Sequence, residues 1–384
     1  MVRSTLLALS LLASSLAAAQ DFPETGGERH EGAVHSIAYS PDGATVLSGG
    51  LDKTLRLWDA ATGRHIQTLR GHEDFIFTAA FSPDGGLIAS GGGEVAPRVW
   101  NAKDGRQVAQ LKNFWSGHTQ PITALAWADG QTLLTGSADS TIKVWNVPKA
   151  KVTATWNGHS AQMDNDRTTG TRCSWLPRVC RDKPGGGKTC TPAHEECQLG
   201  VMAIAVAPDG KFALTGGGDG SIKRWKLPSG RLEATWPGNG DPVLSIAFSP
   251  DGRKALAGTT GNLVQVRSVE NGAILAEWGG HNDDVTSVCV SPDGRTALSG
   301  SRDRTVRLWS VESGRNVKTW TDHQGEVRRV AFSPDGLRAL SAGADGAIKI
   351  RELVEPVSAQ IASVMAPEEP RRVPPEVESE AAPP

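Results

Sequence analysis

The sequence is poor in several of the residues and motifs from which functional sites are commonly built. Its 384 residues include a single tyrosine, Tyr39, and five cysteines, the first of which is Cys173. It has no nucleophile elbow, the strand-to-helix motif that presents a catalytic serine in many hydrolases. It also has no C-x-x-C-H sequence, which excludes covalently attached haem. The sequence therefore predicts neither an enzyme of these classes nor a bound cofactor.

Charge and hydropathy exclude two further classes of partner. The chain has 40 lysines and arginines against 42 aspartates and glutamates, a formal net charge of −2. So balanced a composition gives no field that would attract nucleic acid or an anionic membrane surface. The apolar run from Leu6 to Leu16 is too short to span a bilayer as a permanent helix. We expect no nucleic-acid partner and no insertion into a membrane.

The first 19 residues have the three regions of a secretory signal peptide. Arg3 precedes the apolar run, and Ala17-Ala18-Ala19 follows it directly before Gln20. We expect cleavage after Ala19, and the lack of any cysteine before Cys173 excludes a lipoprotein anchor there. The short, alanine-rich signal favours a bacterial protein exported to the periplasm, with an extracellular location and a eukaryotic secretory route as the alternatives.

Most of the remaining chain repeats one pattern, seen most clearly between Gly279 and Trp320. A Gly-His pair is followed by a first apolar stretch, a Ser-Pro-Asp-Gly turn, a second apolar stretch, an aspartate, and then a strand that ends near Trp309. The apolar and polar residues of this strand alternate, as in a half-buried strand. The turn prolines recur 42 residues apart at Pro41 and Pro83 and at Pro208, Pro250, Pro292 and Pro334. This period predicts a repeat of four short strands.

The pattern resembles the WD40 family in Gly71-His72, Ser82-Pro83-Asp84-Gly85 and Trp58-Asp59. The resemblance implies an all-β fold, a seven-bladed β-propeller of four-stranded antiparallel blades. After an N-terminal segment at 20–29, the propeller is expected over 30–363, with blades at 30–69, 70–112, 113–156, 157–236, 237–278, 279–320 and 321–363. The residues 364–384 are rich in Pro and Glu and predict a disordered tail. The segment Val357 to Ser363 falls where a fourth strand of blade 7 would lie, whereas 20–29 gives only weak evidence for such a strand.

The resemblance also implies a buried polar network in each blade, formed by a histidine, a Ser or Thr, an aspartate and a tryptophan. A buried indole N–H needs a partner, and a satisfied buried network fixes the arrangement of the strands. These residues are therefore interpreted as structural rather than catalytic. The expected sets are His30, Ser48, Asp52 and Trp58; His72, Ser90 and Trp100, with Glu94 for Asp; His118, Thr135, Asp139 and Trp145; His159, Thr215, Asp219 and Trp225; and His281, Ser299, Asp303 and Trp309. Blade 7 has Arg351 for Trp, and blade 5 has Asn239, Gly261 and Arg267 in place of the set.

An insertion at 160–199 interrupts the period and contains four of the five cysteines. Cys173, Cys180, Cys190 and Cys197 lie in a segment without a core of its own, which in an exported chain favours two disulfides with three possible pairings. A zinc site is the alternative, because Cys190, His194 and Cys197 have C-x3-H-x2-C spacing. Cys289 lies on a first strand and is expected to be a small buried filler.

The most favoured function is a non-enzymatic scaffold in the cell envelope, monomeric by itself, that binds a protein or peptide partner. In the family the insertion would lie on the top face of the disc, the side most used for partners. We expect partner contacts from a rim aromatic, from the insertion and from a neighbouring turn: Phe75, Trp175, Arg178, Arg181, Arg302 and Arg304. An enzyme or a propeller that binds a small ligand or metal at the central channel or the insertion is the alternative. Fold alone does not decide between them.

Overall fold

The computed structural model describes residues 29–112, 116–159 and 200–353, together with the backbone of short strands at 20–21, 162–163, 179–182, 188–191 and 198–199. These parts of the chain form 32 strands and contain no helix. Consequently, none of the described residues forms a helix able to cross a membrane. The protein is an all-β, seven-bladed propeller, as the sequence predicts.

Each blade is a four-stranded antiparallel sheet, numbered here from β1 (Gln20–Asp21). Blade 1 consists of β2 (Val34–Tyr39), β3 (Thr45–Gly50), β4 (Thr54–Asp59) and β5 (His65–Arg70). Blade 2 consists of β6 (Ile76–Phe81), β7 (Leu87–Gly92), β8 (Arg98–Asn101) and β9 (Gln107–Gln110). Blade 3 consists of β10 (Ile122–Trp127), β11 (Thr132–Ser137), β12 (Thr141–Asn146) and β13 (Lys151–Asn157).

Four strands of the insertion come next: β14 (Gln162–Met163), β15 (Val179–Asp182), β16 (Lys188–Thr191) and β17 (Gln198–Leu199). Blade 4 consists of β18 (Val201–Val206), β19 (Phe212–Gly217), β20 (Ile222–Lys226) and β21 (Arg231–Trp236). Blade 5 consists of β22 (Val243–Phe248), β23 (Lys254–Thr259), β24 (Val264–Ser268) and β25 (Ile274–Trp278). Blade 6 consists of β26 (Val285–Val290), β27 (Thr296–Ser301), β28 (Val306–Ser310) and β29 (Asn316–Trp320). Blade 7 consists of β30 (Val327–Phe332), β31 (Arg338–Gly343), β32 (Ile348–Glu352) and the distant β1.

The Ser-Pro-Asp-Gly turns between first and second strands are closed by their own side chains. In blade 1 the Ser40 hydroxyl donates to Asp42 Oδ1 at 2.6 Å, and the Gly43 amide donates to the Ser40 carbonyl at 2.9 Å. Gly43 has a φ of 73°, a left-handed conformation that glycine adopts without steric cost. The same serine-to-aspartate bond recurs at Ser82, Ser249, Ser291 and Ser333. Local turn chemistry therefore sets the hairpin that the period predicts.

The hydrophobic core is divided into layers between adjacent blades. One layer joins Leu47 and Leu55 of blade 1 to Ile76 and Ile88 of blade 2. The blades approach so closely that a Cβ added at Gly300 of blade 6 would lie 2.6 Å from Val327 of blade 7. A single blade buries little apolar surface, so the stacking of neighbours supplies the stability of each.

The ring closes through blade 7, and it does so from the N-terminal side of the chain. The first strand β30 packs against the first strand β2 of blade 1. The fourth strand of blade 7 is β1, which pairs antiparallel with β32 so that Gln20 is opposite Ile350 and Asp21 is opposite Lys349. The sequence left open whether the N-terminal segment or Val357 to Ser363 closes the ring; the described fourth strand is N-terminal, and Val357 to Ser363 lie outside the described part of the chain. Two described residues of 20–29 make the pairing, too few to give a strand pattern in the sequence.

Every first strand contains a β-bulge at its second residue. In blade 1 the register shifts between Val34 and Ser36, which leaves His35 unpaired, and in blade 7 it shifts between Val327 and Arg329, which leaves Arg328 unpaired. The equivalent shifts occur in the other five blades. A bulge bends its strand and re-aims one side chain. Seven side chains are thereby directed toward the centre of the ring.

The described backbone of the insertion forms two antiparallel strand pairs. Near its ends β14 pairs with β17, and between them in the sequence β15 pairs with β16 so that Cys180 is opposite Cys190. The β14–β17 pair, called here the base of the insertion, lies in the connection from the last strand of blade 3 to the first strand of blade 4. The insertion thus emerges from the loop that leads into a first strand.

Candidate functional site

The polar network of blade 6 connects four buried side chains in series. Trp309 Nε1 donates to Ser299 Oγ at 2.7 Å, and Ser299 Oγ lies 2.6 Å from His281 Nε2. His281 Nδ1 lies 2.9 Å from Asp303 Oδ2. All four groups are satisfied if the neutral histidine carries its proton on Nδ1, donates to the carboxylate, and accepts from the serine hydroxyl.

The structure brings together the same series in the other expected sets. The contact from histidine Nδ1 to aspartate is 2.9 Å in blades 1, 3, 4, 6 and 7. The indole N–H of the tryptophan donates to the Ser or Thr hydroxyl in blades 1, 2, 3 and 4 at 2.8 to 2.9 Å. The set of blade 4 spans the insertion, with His159 Nε2 lying 2.9 Å from Thr215 Oγ1. The insertion therefore leaves the blade's internal network intact.

Burial and hydrogen bonding shift the pKa values of these groups in opposite directions. Burial opposes ionisation of Asp52, but hydrogen bonds from His30 and Thr54 outweigh it and hold the pKa of that carboxyl below its usual range. The aspartates of blades 3, 4, 6 and 7 have lowered pKa values for corresponding reasons. Burial also lowers the pKa of His30, against the raising effect of Asp52. Blade 1 thus holds a carboxylate beside a histidine whose neutral form is favoured.

The series has the connectivity of a Ser-His-Asp catalytic triad, yet its hydroxyl cannot act on a substrate. The Ser or Thr of each set is fully buried, as Ser48 and Ser299 illustrate with no exposed surface. Each of these oxygens already accepts a hydrogen bond from an indole or, in blade 7, from Arg351. A nucleophile must reach a reacting atom, so this burial supports the structural interpretation.

Two blades have arginine where others have the network tryptophan. The repeat pattern did not predict that these arginines make hydrogen bonds of their own. In blade 7, Arg351 is buried and donates to Ser341 Oγ at 2.8 Å and to Asp322 Oδ1 at 2.7 Å. In blade 5, Arg267 donates to the carbonyl oxygens of Pro237 and Gly272 and to Gln265 Oε1 at 3.0 to 3.3 Å. A guanidinium offers five donors in a fixed plane, so it replaces one indole N–H and also satisfies backbone carbonyls.

Blade 2 shows how a longer acid takes the place of aspartate. The Glu94 carboxylate lies 3.4 Å from His72 Nδ1, accepts from the Glu73 amide, and pairs with Arg98 at 2.9 Å. Burial opposes its ionisation, but these hydrogen bonds lower the pKa of Glu94 to about 2. His72 Nε2 still lies 2.7 Å from Ser90 Oγ.

The top face is defined here by the loops that lead into first strands and the turns between second and third strands. Three of the expected partner residues are described on it. Phe75 is partly exposed, with Lys53 Nζ 6.0 Å from its ring centre. Arg304 is exposed, with a φ of 69°. Arg302 does not project outward as expected, because it pairs with Asp284 at 3.2 Å near the centre of the ring. Phe75 belongs to blade 2 and the two arginines to blade 6, so they occupy separate sectors of the face.

The insertion's candidate residues are described at most as backbone. Arg181, Cys180 and Cys190 lie in β15 and β16, whereas Trp175, Arg178, Cys173, His194 and Cys197 lie outside the described residues. The disulfide, zinc and partner roles of these residues stay predictions. Elsewhere, in the described part of the chain, no three His, Cys, Asp or Glu side chains cluster as metal ligands. Cys289 is a free, partly buried thiol of blade 6, and burial raises its pKa to about 12.

The centre of the top face is a cavity of about 90 Å³ that the sequence reading did not identify. It is lined by the seven bulge residues and by two further arginines: His35, Phe77, Thr123, Met202, Leu244, Thr286, Arg328, Arg302 and Arg329. We call it the channel mouth. A signal for it was present in the sequence, since Arg328 and Arg329 stand side by side where the other first strands carry few charges.

Comparison with known proteins assigns the repeats to a family. The family described as WD40, "WD domain, G-beta repeat", matches seven segments: 25–59, 63–94, 109–146, 188–226, 230–266, 272–310 and 314–351. The chain belongs to the WD40 family. The resemblance predicted from the sequence is confirmed in the number of repeats.

Two plant WD40 relatives illustrate the range of similarity. The chain is 36% identical over 208 residues to small ribosomal subunit protein RACK1y of Oryza sativa subsp. japonica, covering 53% of this chain and 51% of that protein. It is 28% identical over 207 residues to cell division cycle 20.1, cofactor of APC complex, of Arabidopsis thaliana, covering 53% of this chain and 37% of that protein. The matches thus span about half or less of the relatives' lengths. Both relatives are eukaryotic, and the bacterial origin expected from the signal sequence draws no support from them.

Proposed function

We propose that this WD40 propeller is a non-enzymatic scaffold that binds a protein or peptide partner on its top face, with the cysteine-rich insertion as the specificity element. The observation that carries the proposal is the position of the insertion. Its strand pair β14–β17 lies between His159 and Val201, and His159 belongs to the polar network of blade 4. Function often resides in loops held by a rigid scaffold.

The chemistry of the described residues supports a binding role over a catalytic one. The repeated Ser-His-Asp series is sealed within the blades, and the face above it presents a partly exposed aromatic, Phe75, and an exposed cation, Arg304. Aromatic residues and arginine are enriched among the residues that dominate binding energy at protein interfaces. The relatives' names, a ribosomal subunit protein and a cofactor of a complex, both describe members of protein assemblies.

The test is a pull-down with a variant that lacks the outer insertion but retains its base. Residues 164–197 are replaced by a short turn, so that β14 and β17 still pair and the blades stay folded. The proposal predicts that a stoichiometric partner co-purifies with the full chain and is lost with the variant. An unchanged far-UV circular dichroism spectrum and melting temperature would show that the propeller itself is intact.

Point substitutions refine the same test. Double charge reversal at Arg178 and Arg181 should reduce partner recovery by at least thirtyfold, which corresponds to about 2 kcal/mol, the usual threshold for a dominant interface residue. Arg253→Glu is the matched control, because Arg253 is an exposed arginine in a turn on the opposite face. Partner recovery that depends on Arg253 but not on the insertion would place the site on the other face and contradict the proposal.

We further propose that the chain is exported after cleavage behind Ala19. Cleavage there retains Gln20 and Asp21, the two residues that pair with β32 to complete blade 7. N-terminal sequencing of the protein from fractionated cells should read Gln20 first. Recovery of the intact N-terminus from the cytoplasm would reject this proposal and leave the scaffold proposal standing.

A further inference from the structure

The channel mouth contains a buried arginine, Arg329, for which the described residues provide no ion pair or side-chain hydrogen bond. Arg329 follows the bulge of blade 7, at a position where blades 1, 5 and 6 carry Ser36, Ser245 and Ser287. Those serines link blades, since each hydroxyl accepts a hydrogen bond from a backbone amide of the next blade at 2.8 to 3.1 Å. Arg329 cannot make the same short bridge and instead lines the cavity.

The charges around Arg329 do not cancel. Arg302 pairs with Asp284 at 3.2 Å and approaches Glu326 at 4.0 Å, and Arg328 pairs with Glu326 at 2.9 Å. Two carboxylates therefore serve the first two arginines. Within the described ranges 29–112, 116–159 and 200–353, Arg329 makes no ion pair or side-chain hydrogen bond. Counting the described residues alone, the mouth holds three guanidinium groups against two carboxylates.

Further donors at the mouth are also unused. The Nε–H groups of Arg302 and Arg328 are buried and have no hydrogen-bond partner in the structure. A buried donor without a partner costs roughly 1–3 kcal/mol, which a suitable acceptor would recover. One acceptor beside them, Glu326 Oε2, also has no hydrogen-bond partner and lies 4.0 Å from Arg302 Nε. The charge of Arg329 is therefore the main feature that an anion in the cavity would satisfy.

We propose that the channel mouth binds a single oxyanion, a carboxylate or phosphate group, with Arg329 as its principal ligand. The planar guanidinium matches both groups, to which it can donate two parallel hydrogen bonds. A cavity of about 90 Å³ has room for such a group. Its remaining lining, which includes Phe77, Met202 and Leu244, shields the charges from water and strengthens their attraction for an anion.

The pKa shifts of His35 and Arg329 are consistent with an oxyanion site at the channel mouth. Burial and the charges of Arg328 and Arg329 lower the pKa of His35 to about 3, so His35 is neutral and adds no competing charge. Burial also lowers the pKa of Arg329 with no acidic neighbour to oppose the shift. An anion bound beside it would supply the missing counter-charge.

The first test is titration of the full chain with inorganic phosphate by calorimetry, at ionic strength held constant with chloride. Arg329→Ser introduces the residue that three other blades carry at this position, and should weaken phosphate binding at least tenfold. Arg253→Ser is the matched control, because it removes an equal charge from an exposed side chain on the opposite face, and should change the affinity less than twofold. Arg329→Lys should give an intermediate affinity, since it keeps the charge but loses the planar pair of donors.

The results separate this inference from the proposed function, because phosphate binding is measured without a protein partner. Equal affinities in the parent and in Arg329→Ser would overturn the inference, as would an equal loss in Arg253→Ser, which would indicate non-specific charge attraction. Melting temperatures and circular dichroism spectra identify any variant that is misfolded. If Arg329→Ser does not fold, Arg329→Lys alone decides, since unchanged affinity in that variant would also overturn the assignment.

A second arm identifies the source of the oxyanion. A short capped peptide with one central aspartate is compared with its asparagine counterpart as a competitor of phosphate. Competition by the aspartate peptide alone supports a site that receives a carboxylate from a polypeptide, and phosphate binding without peptide competition supports a free anion. Equal competition by both peptides would contradict recognition of charge at the mouth.

Discussion

The substitution Ser299→Ala tests whether the network of blade 6 stabilises the propeller. The Ser299 side chain is fully buried and its hydroxyl contacts both Trp309 Nε1 at 2.7 Å and His281 Nε2 at 2.6 Å. Removal of the hydroxyl leaves two buried polar groups without partners. At roughly 1–3 kcal/mol for each unsatisfied group, the expected loss of stability is about 3 kcal/mol.

The assay is native-state hydrogen exchange of the blade 6 amides, because a repeat protein opens in parts and a local free energy is the relevant quantity. Amides of β27 and β28 should exchange about a hundredfold faster in Ser299→Ala, as about 3 kcal/mol requires. Ser313→Ala provides the control, since Ser313 is exposed in the following turn and its substitution should change stability by less than about 0.5 kcal/mol.

A double-mutant cycle identifies the cause of the loss. Trp309→Phe removes the indole N–H, so its combination with Ser299→Ala should cost less than the sum of the two single changes. Strict additivity, or a loss in Ser299→Ala no larger than in Ser313→Ala, would refute the argument that unsatisfied groups dominate. The blades would then be held by their apolar layers alone.

Three further predictions rest on other parts of the molecule. Because blade 5 lacks the histidine-aspartate set, its backbone amides at 256–266 should exchange faster than those of blade 6 at 297–308. Arg267→Ala should widen that difference. Slower exchange in blade 5 than in blade 6 would show that the arginine contacts fully replace the set. Under denaturing, non-reducing conditions one thiol, Cys289, should react with an alkylating agent, and reaction of all five would reject the predicted disulfides. Burial lowers the pKa of His35 to about 3 in the folded state, whereas its pKa in the unfolded chain is 6.5. Neutral His35 therefore contributes its full stability above pH 6.5, and this stability is lost as the pH falls from 6.5 toward 3, because only the unfolded state binds the proton there. Unfolding free energies should therefore show the parent losing up to about 1.4 kcal/mol per pH unit relative to His35→Gln, and parallel pH profiles would contradict it.

The fold could be predicted because its signals are local and repeated. In five of the seven blades a Ser-Pro-Asp-Gly turn fixes the first hairpin through bonds within five residues, as at Ser40 and Asp42. The 42-residue period then predicts the number of blades. Closure of the ring was harder to predict. The pairing of Gln20 and Asp21 with β32 involves two residues and a partner more than 300 residues away, and so short a strand has no periodicity.

The network arginines show a different limit of sequence reading. In the sequence, Arg267 and Arg351 look like the loss of the network tryptophan, because the repeat pattern compares residue types alone. In the structure each guanidinium lies in a buried position and supplies the donors that the site needs. The physical requirement at this position is a buried donor of sufficient size, and tryptophan and arginine both meet it.

The lining of the channel mouth depends on the β-bulges of the first strands, which residue spacing in the sequence does not predict. In a regular strand, side chains alternate between two faces, but a bulge adds a residue that belongs to neither pattern. Two of the seven bulge residues link neighbouring blades, since the Thr123 hydroxyl donates to the Val201 carbonyl and the Thr286 hydroxyl to the Val327 carbonyl. Within the described part of the chain, the bulge residues of the other five blades make no such link, and their types range from Phe77 through Leu244 to Arg328. Three of the positions that follow the bulges carry serines that link blades, Ser36, Ser245 and Ser287, whereas blade 7 carries Arg329 there. Because Arg329 makes no such link to the described residues, its charge at the mouth is better explained by a ligand than by stability.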